Sequence, residues 1–163
     1  MNYKLLACVA VLLVVLIFPA SATMVSFLIV ETGIHEDIPS AQYSDLWEGG
    51  LMSSFFDAGY IVTNSPIMRL EQRPVPDLTG PVRTDFEGAR LGGGEYFVLC
   101  FLNYQVQGRR AVPVDINIRT YRIDTQELVF ERSFPVGTGR NLHEELQLAQ
   151  NAGRVLVSQI GDR

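Results

Sequence analysis

The sequence predicts a single α/β domain built on a mixed sheet, in the order β-α-β-α-β-β-β-α, with helices packed on the sheet and a cleavable leader in front. Three observations carry this reading. A β-branched, apolar run from Met24 to Val30 precedes a stretch with helical spacing, Ser40 to Ala58. Three strand-like runs follow one another between Glu95 and Phe134, separated only by short turns. The chain then closes on an amphipathic helix with its own start signal. Strands separated by helices pair in parallel and strands joined by turns pair antiparallel, so parallel pairing is expected early and a meander late. Helices covering one face would complete a sandwich of two or three layers.

The leader comes first. Asn2, Tyr3 and Lys4 make a short, weakly positive start, Leu5 to Phe18 is an apolar run of 14 residues, and Pro19 and Ala20-Ser21-Ala22 follow. A basic start, a short apolar core and an A-x-A site are what signal peptidase reads. Residues 1–22 are therefore expected to leave by cleavage after Ala22, with residues 23–163 forming the domain in the periplasm or outside the cell. A retained anchor is the rival, but a spanning helix needs about 20 continuous apolar residues. Pro19 to Thr23 interrupts this run well before that. Leu5-Leu6-Ala7-Cys8 has lipobox letters, yet the apolar core follows the cysteine rather than preceding it. The chain carries a net charge of −5, one unit more negative once Lys4 is lost. Its scattered arginines leave no footprint for a phosphate backbone, which argues against nucleic acid as a partner.

Met24 to Val30 reads as a strand buried on both faces. Glu31 to Pro39 reads as a loop. In the first helix, Trp47, Leu51 and Phe55 recur every four residues, with Leu46 and Ala58 widening the stripe. Gly49-Gly50 costs roughly 1 kcal/mol per glycine against alanine there, so a bend or a late start is expected. Gly59 is placed to cap this helix, and Tyr60 to Thr63 reads as a short strand. Asn64 to Gly80, with Pro66, Pro74 and Pro76, reads as irregular and long enough to be functional. Pro81 opens a second helix to Leu91, with Val82, Phe86 and Ala89 inward, ended by Gly92-Gly93-Gly94. Glu95 to Val106 and Val112 to Ile123 are long strands. In the second, Val114, Ile116 and Ile118 alternate with Asp115, Asn117 and Arg119, which implies one wet face. Asp124-Thr125-Gln126 turns into a strand from Glu127 to Phe134. Asn141 and Glu144 form a capping box before a helix whose apolar stripe is Leu142, Leu146, Ala149, Ala152 or Gly153, Leu156 and Ile160.

Residues that could carry chemistry are few. His143-Glu144 has the start of a zinc-protease helix, but Gln147 stands where the second histidine is needed. His35, Glu36 and Asp37 share a loop without the spacing of a known metal site. Cys100, the cysteine that remains after Cys8 leaves with the leader, sits in an apolar run and reads as a buried small hydrophobe. No internal disulfide is then possible. Gly92-Gly93-Gly94 leads from helix to strand, the reverse of a phosphate cradle. Gly137-Thr138-Gly139-Arg140 does precede a helix but lacks the lysine and hydroxyl of a P-loop. No nucleophile elbow flanks either histidine. The expectation is a non-enzyme with no cofactor and no metal.

Two stretches resemble a known group. The run from Phe86 to Leu99 (FEGARLGGGEYFVL) is similar to the A-x-x-L-G-A-D-Y-V-L segment of envelope α/β domains of the CsgG, LpoB and TolB amino-terminal type. Arg122 to Phe130 (RIDTQELVF) resembles their D-x-x-T-G-E-V-V-W hairpin, with Gln126 in place of the turn glycine. Trp47 on an early helix, with the late hairpin and helix, also resembles the auxiliary lipoproteins of lipid-transport ABC systems. The resemblance implies the fold and a place in the bacterial envelope. The function expected is that of an adaptor or accessory domain acting by contact with another envelope protein. Its expected contact surfaces are Asp115, Asn117 and Arg119 together with the loop at 64–80. The alternative is an auxiliary component that binds a small apolar ligand or lipid for envelope transport.

Overall fold

Strand β1 (Met24–Thr32) lies between two hydrophobic layers, as its apolar run with the single Ser26 implies, and Val25 to Thr32 are all buried. Val25, Phe27 and Ile29 point into one core and Leu28 and Val30 into the other, following the two-residue period of a strand. In this computed structural model residues 22–34, 42–72, 78–107, 110–137 and 140–161 are described. The leader up to Ser21 and the His35-Glu36-Asp37 cluster lie outside the described residues.

The remaining elements are α1 (Tyr43–Asp57), β2 (Ile61–Asn64), β3 (Met68–Leu70), α2 (Val82–Leu91), β4 (Tyr96–Gln107), β5 (Arg110–Arg122), β6 (Leu128–Pro135) and α3 (Leu142–Gly161). They form one six-stranded mixed sheet in the order β2-β1-β4-β5-β6. Strand β3 shares the β2 side of β1, pairing Val30 to Thr32 where β2 pairs Met24 to Phe27. The pairings of β1 are parallel, and β4-β5-β6 is an antiparallel meander. Thus the α/β class and mixed pairing match the expectation, with β3 as an added strand inside the stretch read as irregular. A second difference concerns layers. Helices α1 and α3 cover one face, while Val82 and Phe86 of α2 pack on the other, so the helices lie on both sides of the sheet.

Local chemistry explains most boundaries. Asn141 and Glu144 make the reciprocal cap: the Glu144 N–H donates to Asn141 Oδ1 (2.9 Å) and the Asn141 N–H to Glu144 Oε2 (3.0 Å). After α1, Gly59 adopts φ +88° and the Tyr60 N–H returns to the Phe55 carbonyl (3.1 Å), a left-handed helix stop. Pro113 falls inside β5, which a central strand resists. It lies next to the register shift at Asn103/Tyr104 and beyond the reach of β6, whose pairing begins at Asp115. β1 itself runs through Glu31 and Thr32, which the sequence assigned to a loop.

The first helix runs from Tyr43 to Asp57 without a break at Gly49 and Gly50. Gly50 sits where α1 crosses α3, and a Cβ there would lie 2.6 Å from Ala149 Cβ. Gly153 answers it from α3, where a Cβ would lie 2.6 Å from Ser54 Cβ. The small residues let the helices approach until Trp47, Leu51 and Phe55 of α1 meet Ala149, Ala152 and Leu156 of α3 in one core. Burial of that stripe outweighs the roughly 1 kcal/mol that each glycine costs. Two expected stripe residues are corrected: Ala58 and Leu142 are exposed, because each lies at a helix end beyond the crossing.

Candidate functional site

Among the described residues two glutamates are enclosed, and the structure shows what each is for. Glu31, at the carboxyl end of β1, is 1% exposed. Its Oε1 accepts from the Ser44 hydroxyl at the start of α1, and its Oε2 accepts from Arg69 Nε of β3 at 2.8 Å. Ser44 also contacts the Tyr104 hydroxyl of β4 at 3.2 Å. Burial pushes the Tyr104 phenol well above its usual range, so it stays protonated. Glu145 of α3 is 0% exposed. It accepts from Trp47 Nε1 (3.0 Å), Arg140 Nε (2.9 Å) and the Gly137 N–H (3.2 Å). Each carboxylate thus ties three separate segments together, and its oxygens are occupied by structural partners. Arg140 also donates to the Pro135 carbonyl at 2.6 Å. That commits to the fold the arginine that follows the Gly137 loop.

The surface proposed from sequence is a bonded polar layer on the α2 side of the sheet. Thr32 donates to Asn103 Oδ1 and Asn103 to Asp115 Oδ1, both at 2.6 Å, which links β1, β4 and β5 in one row. Asn117 donates to Ser133 Oγ (3.0 Å) and Glu131 (3.3 Å), and Arg119 reaches Asn117 Oδ1 (3.1 Å) and Glu131 (2.6 Å). Asp115, Asn117 and Arg119 do share a face, as their alternation implies. That face is less wet than expected: Asn117 is 5% exposed and the Arg119 side chain 12%. Alternation identifies a shared face but not what covers it.

Two open clefts flank α2 on this side. One, of about 370 Å³, has Phe86 and Tyr121 as its apolar floor and Arg83, Glu87, Thr79 and Gln126 at its rim. Gln126 is the turn residue that replaces a glycine, and it holds φ +57°, the left-handed region. The other, of about 350 Å³, runs between β2 and α2 and is lined by small polar residues including Ser26, Thr63, Thr84 and Asp85.

Sequence-level candidates for chemistry settle into structural positions. Cys100 is fully buried, and burial, with a smaller contribution from the Glu48 charge, pushes its thiol well above the usual range. His143 is exposed and contacts Gln147 at 3.0 Å, the residue standing where a second metal-binding histidine would be. Among the described residues no three His, Cys, Asp or Glu side chains converge on one point, and no helix is long and apolar enough to cross a membrane. Sequence reasoning missed Glu31, Glu145 and the α2 clefts. For Glu145 a signal existed: it falls four positions before Ala149, in line with Ala149, Ala152 and Leu156 on the buried face of α3.

No known family's sequence profile matches the chain, and none of the curated proteins matches it. Comparison of structures does find similar folds. A PelC dodecamer from Paraburkholderia phytofirmans is 12% identical, over 85% of this chain and 87% of that one, with a TM-score of 0.48. TolB from Acinetobacter baumannii is 13% identical over 87% of this chain, which spans 29% of TolB, with a TM-score of 0.44. The LpoB C-terminal domain from Salmonella enterica is 14% identical, over 77% of this chain and 91% of that domain, with a TM-score of 0.44. TolB and LpoB are both among the structures found.

Proposed function

We propose that this protein is an exported, non-catalytic domain of the cell envelope that works by contact with another protein, and that β6 is where contact is made. The supporting observation is the edge of the sheet. β6 is an eight-residue strand paired with β5 on one side, and among the described residues nothing pairs its outer edge. An open edge is a template for a further strand. Leu128 at its start is 42% exposed. The side chains best suited to chemistry, by contrast, are held in structural bonds: Glu31 with Ser44 and Arg69, and Glu145 with Arg140 and Trp47. Export is supported by the leader and its Ala22 site.

The test has two steps. The chain is expressed with its leader, recovered from the envelope fraction and weighed intact; a mass starting at Thr23 is expected, and retained residues 1–22 or a lipid on Cys8 would refute the export route. The recovered protein is then immobilised beside a Leu128→Lys, Ser133→Lys variant, which places charge along the edge. Specific retention of an envelope protein by the original chain, lost in the variant at an unchanged melting midpoint, is the expected result. Equal retention by both would remove β6 as the contact.

A further inference from the structure

The α2 cleft combines three features that have no joint structural explanation. Its floor is aromatic: Phe86 is 2% and Tyr121 6% exposed, and both belong to the second core. Among the described residues its rim carries one charge without an opposite partner. Glu87 is neutralised by Arg90, whose Nε lies 2.7 Å from Glu87 Oε2, whereas the Arg83 guanidinium has no carboxylate partner among the described residues. Its other polar wall is Gln126, a non-glycine residue held at φ +57°. Left-handed backbone is unfavourable for a residue with a Cβ, and glycine would adopt it freely. The Gln126 amide makes no bond within the described structure that would offset this, yet it lines the cleft opposite α2. Such departures gather where a side chain is needed for a ligand.

An apolar floor with a few convergent polar groups is the usual build of a small-molecule site. Here the donors are a cation and an amide, so the ligand they fit presents an anion with a flat acceptor geometry. A guanidinium matches a carboxylate in two parallel hydrogen bonds. The volume sets the size of the rest: about 370 Å³ is at the low end for ligand sites, room for a side chain rather than an acyl tail. We propose that this cleft binds a small carboxylate with an apolar body of amino-acid size, with Arg83 holding the carboxylate, Gln126 its second oxygen or an adjacent amide, and Phe86 and Tyr121 the apolar group. This site is independent of the β6 edge, so either proposal can fail without the other.

N-acetyl-L-phenylalanine and its carboxamide are suitable probes, since they differ only in the charge assigned to Arg83. Each is titrated into the isotope-labelled exported protein while backbone amide signals are followed. The acid should shift Thr79, Arg83 and Gln126 saturably and bind at least about tenfold more tightly than the amide, the scale of one charge-assisted contact. Arg83→Gln, at an exposed position that leaves the core intact, should remove that preference while leaving the weak binding of the amide unchanged. Gln126→Gly should raise the melting midpoint and weaken the acid. Equal binding of acid and amide, shifts that map elsewhere, or no saturable shift would each overturn the proposal.

Discussion

Replacing each of two adjacent glycines in α1 by alanine should change stability in opposite directions. In a helix interior alanine is favoured over glycine by about 1 kcal/mol. At Gly49 a Cβ would meet nothing within 4 Å, so Gly49→Ala should realise that gain nearly in full. At Gly50 the same atom would lie 2.6 Å from Ala149 Cβ and 3.3 Å from the Gln150 nitrogen. Carbon atoms settle about 3.5–4.0 Å apart, so α1 and α3 must part by roughly 1 Å. Neither obstacle is the tip of a flexible side chain that could swing away. Overpacking of this kind costs about 1–3 kcal/mol, and parting the helices also loosens Trp47, Leu51 and Phe55. After the propensity gain, Gly50→Ala should lose up to about 2 kcal/mol. The two variants should therefore differ by about 1–3 kcal/mol, or roughly 3–10 °C in melting midpoint for a domain of this size. Urea unfolding followed by fluorescence of Trp47, the chain's single tryptophan, measures both. Ala149→Gly should rescue Gly50→Ala in a double-mutant cycle and do nothing for Gly49→Ala. If both single variants are stabilising, or no rescue occurs, the close crossing of α1 and α3 at Gly50 is wrong.

Two further outcomes follow from the buried carboxylates. Glu145→Ala orphans the Trp47 N–H and strips Arg140 of its partner, so a loss of about 3–5 kcal/mol is expected. Glu145→Gln, which keeps an acceptor for Trp47, should lose less, and equal losses would show that the Trp47 bond contributes nothing. Glu48 gives stability a pH dependence. One of its carboxyl oxygens is enclosed without a hydrogen-bond partner, and burial raises its pKa, opposed by the Asn64 bond and aided by Asp45. A raised folded-state pKa means the native chain binds the extra proton, so this contribution to stability is full below the ordinary glutamate value and is lost as pH rises through the folded value. Glu48→Gln should flatten stability over that window and raise the melting midpoint at neutral pH; an unchanged profile would refute the assignment.

The elements legible in the sequence are those governed by near neighbours. The Asn141/Glu144 cap, the stop at Gly59 and the stripes through Trp47 and Leu156 each follow from spacing of a few residues, and all stand in the structure. The short strand β3 was not legible because three residues have no period to read; Met68–Leu70 becomes a strand only by pairing with β1. Side-chain function was less legible still. Asp115, Asn117 and Arg119 announce a shared face, but whether water or other polar groups meet them depends on the neighbouring strands β4 and β6. Gln126 could be flagged as a turn residue without its glycine, yet not as the wall of a cleft.

The adjacent glutamates of α3 show where that boundary lies. Composition and spacing place both in the first turn of a helix and assign Glu144 its cap, a bond to a residue three positions away. Glu145 lies about 100° further round the cylinder, facing α1, where Trp47, Arg140 and the Gly137 N–H enclose it. Local bonding sets secondary structure, and so the chain's own letters settle the α/β class, the order of its main elements and the exposed cap. Whether a polar residue ends in water or in a dry, bonded site depends on which distant segment arrives opposite it. That is a matter of packing across the sheet and between helices, and only the assembled tertiary structure decides it.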